Sequence, residues 1–140
     1  MILKLCAQAP RIASVLYNSR YGGFHLSAEA FAEYQRRGGT CEAEYNIARD
    51  DPSMVAVVKD MGARANHDYA KICIATEPAP FEKHIRIKEY DGLERVVVDV
   101  HHWFVDSARA VLSGAMSADE KVQAIEVLLA THAAHYPGQP

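Results

Sequence analysis

The sequence predicts an α+β fold, a small and mostly antiparallel sheet with helices packed on one face. Three observations carry that expectation. Helix starts with good capping residues stand at Ser27 and at Asp51–Pro52. An Asp91–Gly92 turn joins two runs in which apolar and polar residues alternate. A long apolar stripe at helical spacing follows Ser117. The 140 residues, 49% of them apolar and 24% charged, suit a single domain over 1–140 with a real core. Residues 1–10 and 136–140 are expected to be poorly ordered.

The run "RIASVLYNS" places a strand over residues 11–18, leading into Gly22–Gly23. Ser27 can N-cap a helix over 28–37, because its hydroxyl accepts a backbone N–H that lacks a helical partner. Glu29 in the first turn and Arg36 and Arg37 in the last suit the helix dipole, and Gly38–Gly39 stops the helix. Asp51 and Pro52 open a second helix over 52–61, where Met54, Val55, Val57, Val58 and Met61 form the apolar side and Gly62 the end. "YAKICIATE" places a strand over 69–76, and "PAP" at 78–80 is a connector.

The hairpin spans 83–90 and 93–102, since Asp–Gly suits the positive φ angles of a type I′ turn. A two-residue loop sets Tyr90 opposite Leu93, Ile87 opposite Val96, Ile85 opposite Val98 and His84 opposite Asp99. It also opposes Glu89 to Glu94 and Lys88 to Arg95, which costs energy. A three-residue loop would pair Glu89 with Arg95 but set Ile85 against Asp99. The apolar pairs favour the first register. "FVDSARAVLSGAM" is a short helix broken by Gly114, and Ser117 with Glu120 forms a capping box for a helix over 118–135. The strand order does not follow from the sequence.

A formal net charge of -3 argues against a nucleic-acid partner. Cys6, Cys41 and Cys73 are odd in number and far apart, which argues against a disulfide framework and a CxxC zinc site. A reducing, cytoplasmic setting is expected, with no cofactor and no bound metal. No apolar run approaches the ~18 residues of a membrane span, so no membrane partner is expected.

Three patches stand out. In "YNSRYGGFHLSAEA", residues 17–30, the backbone N–H groups of Gly22 and Gly23 and a helix start can face one way. Arg20 can add a forked donor, and Asn18 and Ser19 further hydrogen bonds, for a phosphate or carboxylate. The plain alternative is a tight corner with Tyr21 and Phe24 packed over it. At the hairpin tip, Glu89, Asp91 and Glu94 suit either a hard cation, a general base or merely a solvated turn. His84 opposite Asp99 would be an oriented imidazole, whereas His101 and His102, adjacent on a strand, point to opposite faces.

The motifs N-x-x-[aromatic]-G-G-F-x-L-S (Asn18–Ser27), D-P-x-x-V-x-V-V-x-x-x-G (Asp51–Gly62) and E-Y-D-G-x-E (Glu89–Glu94) occur in that order, followed by His101, His102 and Trp103. Over residues 11–103 the chain resembles a family of small uncharacterised proteins best known from bacteriophages and large viruses. Arg20 stands where that family often carries a cysteine. The resemblance implies no activity.

The reading that follows first is a small anion- or nucleotide-binding module that contacts a phosphate-bearing small molecule through Asn18, Arg20, Gly22, Gly23 and Ser27. The alternative is a non-enzymatic interaction protein, including a homodimer formed through the 118–135 helix or the hairpin edge. A third is an enzyme built on His84, Asp99, Glu89 and Glu94.

Overall fold

The computed structural model describes residues 12–136, and the expectations for 1–10 and for 137–140 fall outside them. Its elements are β1 (Ile12–Asn18), α1 (Ala28–Arg36), α2 (Pro52–Met61), β2 (Ile72–Pro78), β3 (Ile85–Tyr90), β4 (Leu93–Val98), α3 (Val100–Ser113) and α4 (Ala118–His135). Short 3-10 turns at Glu44–Asn46 and Gly62–Ala65 complete the order. The fold is α+β.

The local signals act as their chemistry requires. Ser27 accepts the Ala30 N–H, Asp51 that of Met54 and Ser117 that of Glu120, so all three capped starts form. The β3–β4 register is the two-residue-loop register, from Ile85 opposite Val98 to Tyr90 opposite Leu93. It continues one step outward, where the Asp99 N–H donates to the His84 carbonyl at 2.8 Å.

The strands do not form one sheet. β1 pairs antiparallel with β2, and β3 with β4, as two separate ribbons. The cause lies at the free edge of β1. There the Leu16 N–H donates to the Arg49 carbonyl at 2.8 Å and the Asn18 N–H to the Glu94 carboxylate at 2.9 Å. Those donors are spent on a loop and a side chain, so no ladder joins β1 to its neighbour β4.

Two further boundaries shift. The second strand runs over 72–78, because its pairing with β1 carries it past Thr76 to Pro78, opposite Ile12. The last strand ends at Val98, not at residue 102. Asp99 caps α3 by accepting the His102 N–H at 2.9 Å, and His101 and His102 fall in the first helical turn.

Two apolar clusters hold the elements. Leu16 of β1, Leu26, Ala30 and Tyr34 of the α1 region, and Met54 and Val57 of α2 form the main core. Phe81, Val100 and Trp103 form the second, with Leu128 of α4 packed against it. Phe81 meets Trp103 edge-on, with ring centroids 5.1 Å apart. No helix among the described residues is long and apolar enough to cross a membrane.

Candidate functional site

The corner between β1 and α1 is organised by Asn18, whose side chain is fully buried. Its side-chain NH2, with two hydrogens to share, lies within hydrogen-bond distance of the carbonyls of Arg20 (2.6 Å), Gly23 (2.7 Å) and Gly92 (2.8 Å). Its side-chain oxygen accepts the N–H groups of Lys71 (2.9 Å) and Arg20 (3.3 Å). One side chain thereby ties the end of β1, the glycine corner, the approach to β2 and the hairpin tip. An amide suits this task because it is donor and acceptor at once.

The glycines are required by conformation and by closeness. Gly22 and Gly23 take φ of +111° and +93°, which side chains rarely adopt. Gly92 at the hairpin tip lies against them, so that a Cβ there would sit 2.6 Å from the Gly22 nitrogen and closer still to that of Gly23. The Gly22 N–H is directed to the Asp91 carbonyl at 3.4 Å. The hairpin tip therefore packs directly on this glycine pair.

Ser27 is engaged in the same way. Its hydroxyl accepts the Ala30 N–H (3.1 Å) and donates to the Arg64 carbonyl (2.6 Å), and its N–H donates to the Ala65 carbonyl (2.9 Å). Of Asn18, Arg20, Gly22, Gly23 and Ser27, Arg20 alone presents an exposed charged side chain. Grooves of about 540, 510 and 200 Å³ lie elsewhere, and none of these three is lined by the five residues.

Beneath the corner lies an ion pair that sequence reasoning missed. Glu94 is only 7% exposed. Both its oxygens accept from Arg49, at 2.7 and 2.8 Å, and one also takes the Asn18 N–H. The Arg49 guanidinium lies 3.6 Å over the centre of the Phe24 ring. Arg49 stands 45 positions before Glu94, so no local pattern announces the pair. The one available hint was Glu94 facing Glu89 in the register, a repulsion that needs a cation nearby.

The three tip carboxylates do not converge. Glu89 accepts the Gly92 N–H at 2.8 Å, Asp91 takes a φ of +50° at the turn, and Glu94 turns inward to Arg49. Among the described residues, no group of three or more His, Cys, Asp or Glu side chains is arranged to hold a metal ion.

The histidines gather elsewhere than expected. Asp99 and His84 are neighbours in the backbone register, but their side chains part. Asp99 caps α3 and pairs with Arg86 at 2.9 Å. His84 Nε2 lies 3.0 Å from Asp106 Oδ2, and His102 Nε2 lies 3.2 Å from the same oxygen. The bond from His84, then the positive charge around it, holds the Asp106 carboxyl below its usual range. The His102 N–H, and after it Arg86, does the same for Asp99.

His101 meets His132 edge-on, with centroids 5.9 Å apart, and His135 meets Phe81 edge-on at 5.0 Å. These five histidines line the seam where α3 and α4 seat on residues 81–84. His84 and Asp99 have partners there, Glu94 has its own at Arg49, and Glu89 is turned to the tip. Glu89 and Glu94 both line a groove of about 510 Å³ along the hairpin, which His84 and Asp99 do not line. No family model matches the chain, and no curated protein or solved structure matches it either.

Proposed function

We propose that the protein is a binding module with no chemistry of its own, and that the helical hairpin α3–α4 is its contact element. The observation that carries this reading is α4 itself. Its 18 residues include none that is buried, while Val122, Val127 and Leu129 stand 58%, 65% and 51% exposed. Leu112 and Met116 extend the exposed apolar surface around the hairpin turn. Scattered apolar residues are ordinary on a surface, but Val122 and Leu129, seven positions apart, share one outward flank of α4 beside the stripe that packs on α3.

The anion-binding reading keeps one supporting observation, the exposed Arg20 beside the corner. A thermal-shift series with phosphate, sulfate, nucleotides and divalent metals separates the two readings. A ligand at ~100 times its dissociation constant stabilises a fold by about 2.7 kcal/mol. The interaction reading expects no shift with any of them. A phosphate-dependent shift that Arg20→Ala abolishes would overturn it in favour of the anion site. The family resemblance names residues Asn18–Ser27, Asp51–Gly62 and Glu89–Glu94. Asn18–Ser27 and Glu89–Glu94 meet at the corner, while Asp51–Gly62 forms the core helix α2, so the named residues have structural work whether or not they share a reaction.

A further inference from the structure

We infer that the outer edge of β3 takes up an extended peptide in which acidic and apolar residues alternate. This surface is separate from the α3–α4 hairpin, and the inference does not rest on that contact. It starts from the register of the β-hairpin. Tyr90 and Leu93 flank the two-residue turn and exchange backbone bonds, as do Lys88 with Arg95 and Arg86 with Val97. The Asp99 N–H bond to the His84 carbonyl continues that alternation. The backbone groups of Ile85, Ile87 and Glu89 therefore point away from β4. The β3–β4 sheet has only these two strands, and among the described residues no backbone group bonds to that edge. Such an edge is a template for a further strand.

The side chains select the occupant. Arg86, Lys88 and Arg95 are exposed and share one face of the β-hairpin. Arg86 pairs with Asp99 at 2.9 Å. Lys88 and Arg95 stand directly opposite each other, and among the described residues neither has a carboxylate within salt-bridge distance. A carboxylate from outside relieves the repulsion this register imposes. With Tyr90 and Leu93 these two cations line the groove of about 510 Å³. On the opposite face Ile85 and Ile87, with Ala13 and Val15 of β1, line the groove of about 540 Å³, whose charged residues are two acids and two bases. A strand added to β3 projects alternate side chains to these two faces. It meets unpaired cations on one and aliphatic surface on the other. A second copy does not fit, because antiparallel pairing of β3 with β3 about Ile87 sets Arg86 opposite Lys88 of the other chain. The open backbone edge favours a peptide over a nucleic acid, which has no strand to add.

Fluorescence anisotropy with labelled probes tests the site. The main probe is a short capped peptide that alternates valine and glutamate. The controls are a peptide that alternates valine and lysine, and a short oligodeoxythymidine. The acidic peptide should bind, more weakly as salt rises, and the lysine peptide should not. Lys88→Glu combined with Arg95→Glu should weaken the acidic peptide at least about tenfold, with an unchanged far-ultraviolet circular dichroism spectrum. If that variant does not fold, two N-methylated forms of the acidic peptide decide on the wild-type protein. In a strand the N–H groups of alternate residues point to one side. Methylating one set, the valines or the glutamates, should therefore abolish binding, and methylating the other should not. No binding of the acidic peptide, equal binding of the lysine peptide, or equal affinity of the two methylated forms overturns the inference. Binding of the oligodeoxythymidine without the acidic peptide overturns it in favour of a nucleic-acid surface.

Discussion

Removing Glu94 tests the joint beneath the corner most severely. Glu94→Ala deletes the paired bonds to Arg49 and the acceptor for the Asn18 N–H. A buried donor left without a partner costs about 1–3 kcal/mol, and breaking a buried ion pair by removing one member costs about 3–5 kcal/mol. The Arg49 side chain is 32% exposed, so water recovers part of its loss. The expected cost is therefore about 3 kcal/mol. Arg49→Ala strands the more deeply buried member, and about 3 kcal/mol is again expected. The double variant strands neither charge and should cost about 4 kcal/mol. The coupling, near 2 kcal/mol, is read from urea unfolding of all four proteins by circular dichroism. Additive losses, with a coupling under about 0.5 kcal/mol, would show that the pair behaves as a solvated surface contact and would refute the reasoning.

Two other outcomes follow from single positions. Gly92→Ala meets both a φ of +83° and the backbone of Gly22 and Gly23, whereas Gly38→Ala meets a φ of +90° with open space around it. Urea unfolding should show Gly38→Ala costing about 1 kcal/mol and Gly92→Ala at least about 2 kcal/mol; equal losses would mean the hairpin tip does not seat on the corner. Glu33 accepts bonds from Arg36 and Arg37, which lower its carboxyl to about 2. A carboxyl lowered on folding contributes stability that is present above its ordinary value near 4.5 and disappears as pH falls toward about 2. Carbon-detected NMR titration should find Glu33 well below the ordinary carboxylate range, and Arg36→Ala should move it upward.

What could be read from the sequence was what neighbours in the chain decide. Ser27, Asp51 and Ser117 each hold a donor three residues on, and the Asp91–Gly92 turn together with the apolar pairs Ile87–Val96 and Ile85–Val98 fixes a register. The exit of β4 is masked in the sequence because Val96, Val98 and Val100 alternate like a strand, whereas the strand ends at Val98. The contrary signal was present in Asp99 as a cap, with Val100, Trp103 and Phe104 following at helical spacing. The joint at Asn18 was not legible, because its partners Glu94 and Gly92 lie 76 and 74 positions away. A conspicuous Arg20 drew attention to the corner as a ligand site. The buried Asn18 beside it, an amide with every polar atom engaged, accounts for most of its architecture.

The central claim concerns which face of the molecule meets a partner. Amide resonances followed by nitrogen–proton NMR on addition of phosphate test it most directly. The account expects the resonances of Asn18–Ser27 to stay in place. Movement of Asn18–Ser27 with phosphate, abolished by Arg20→Ala, would contradict it.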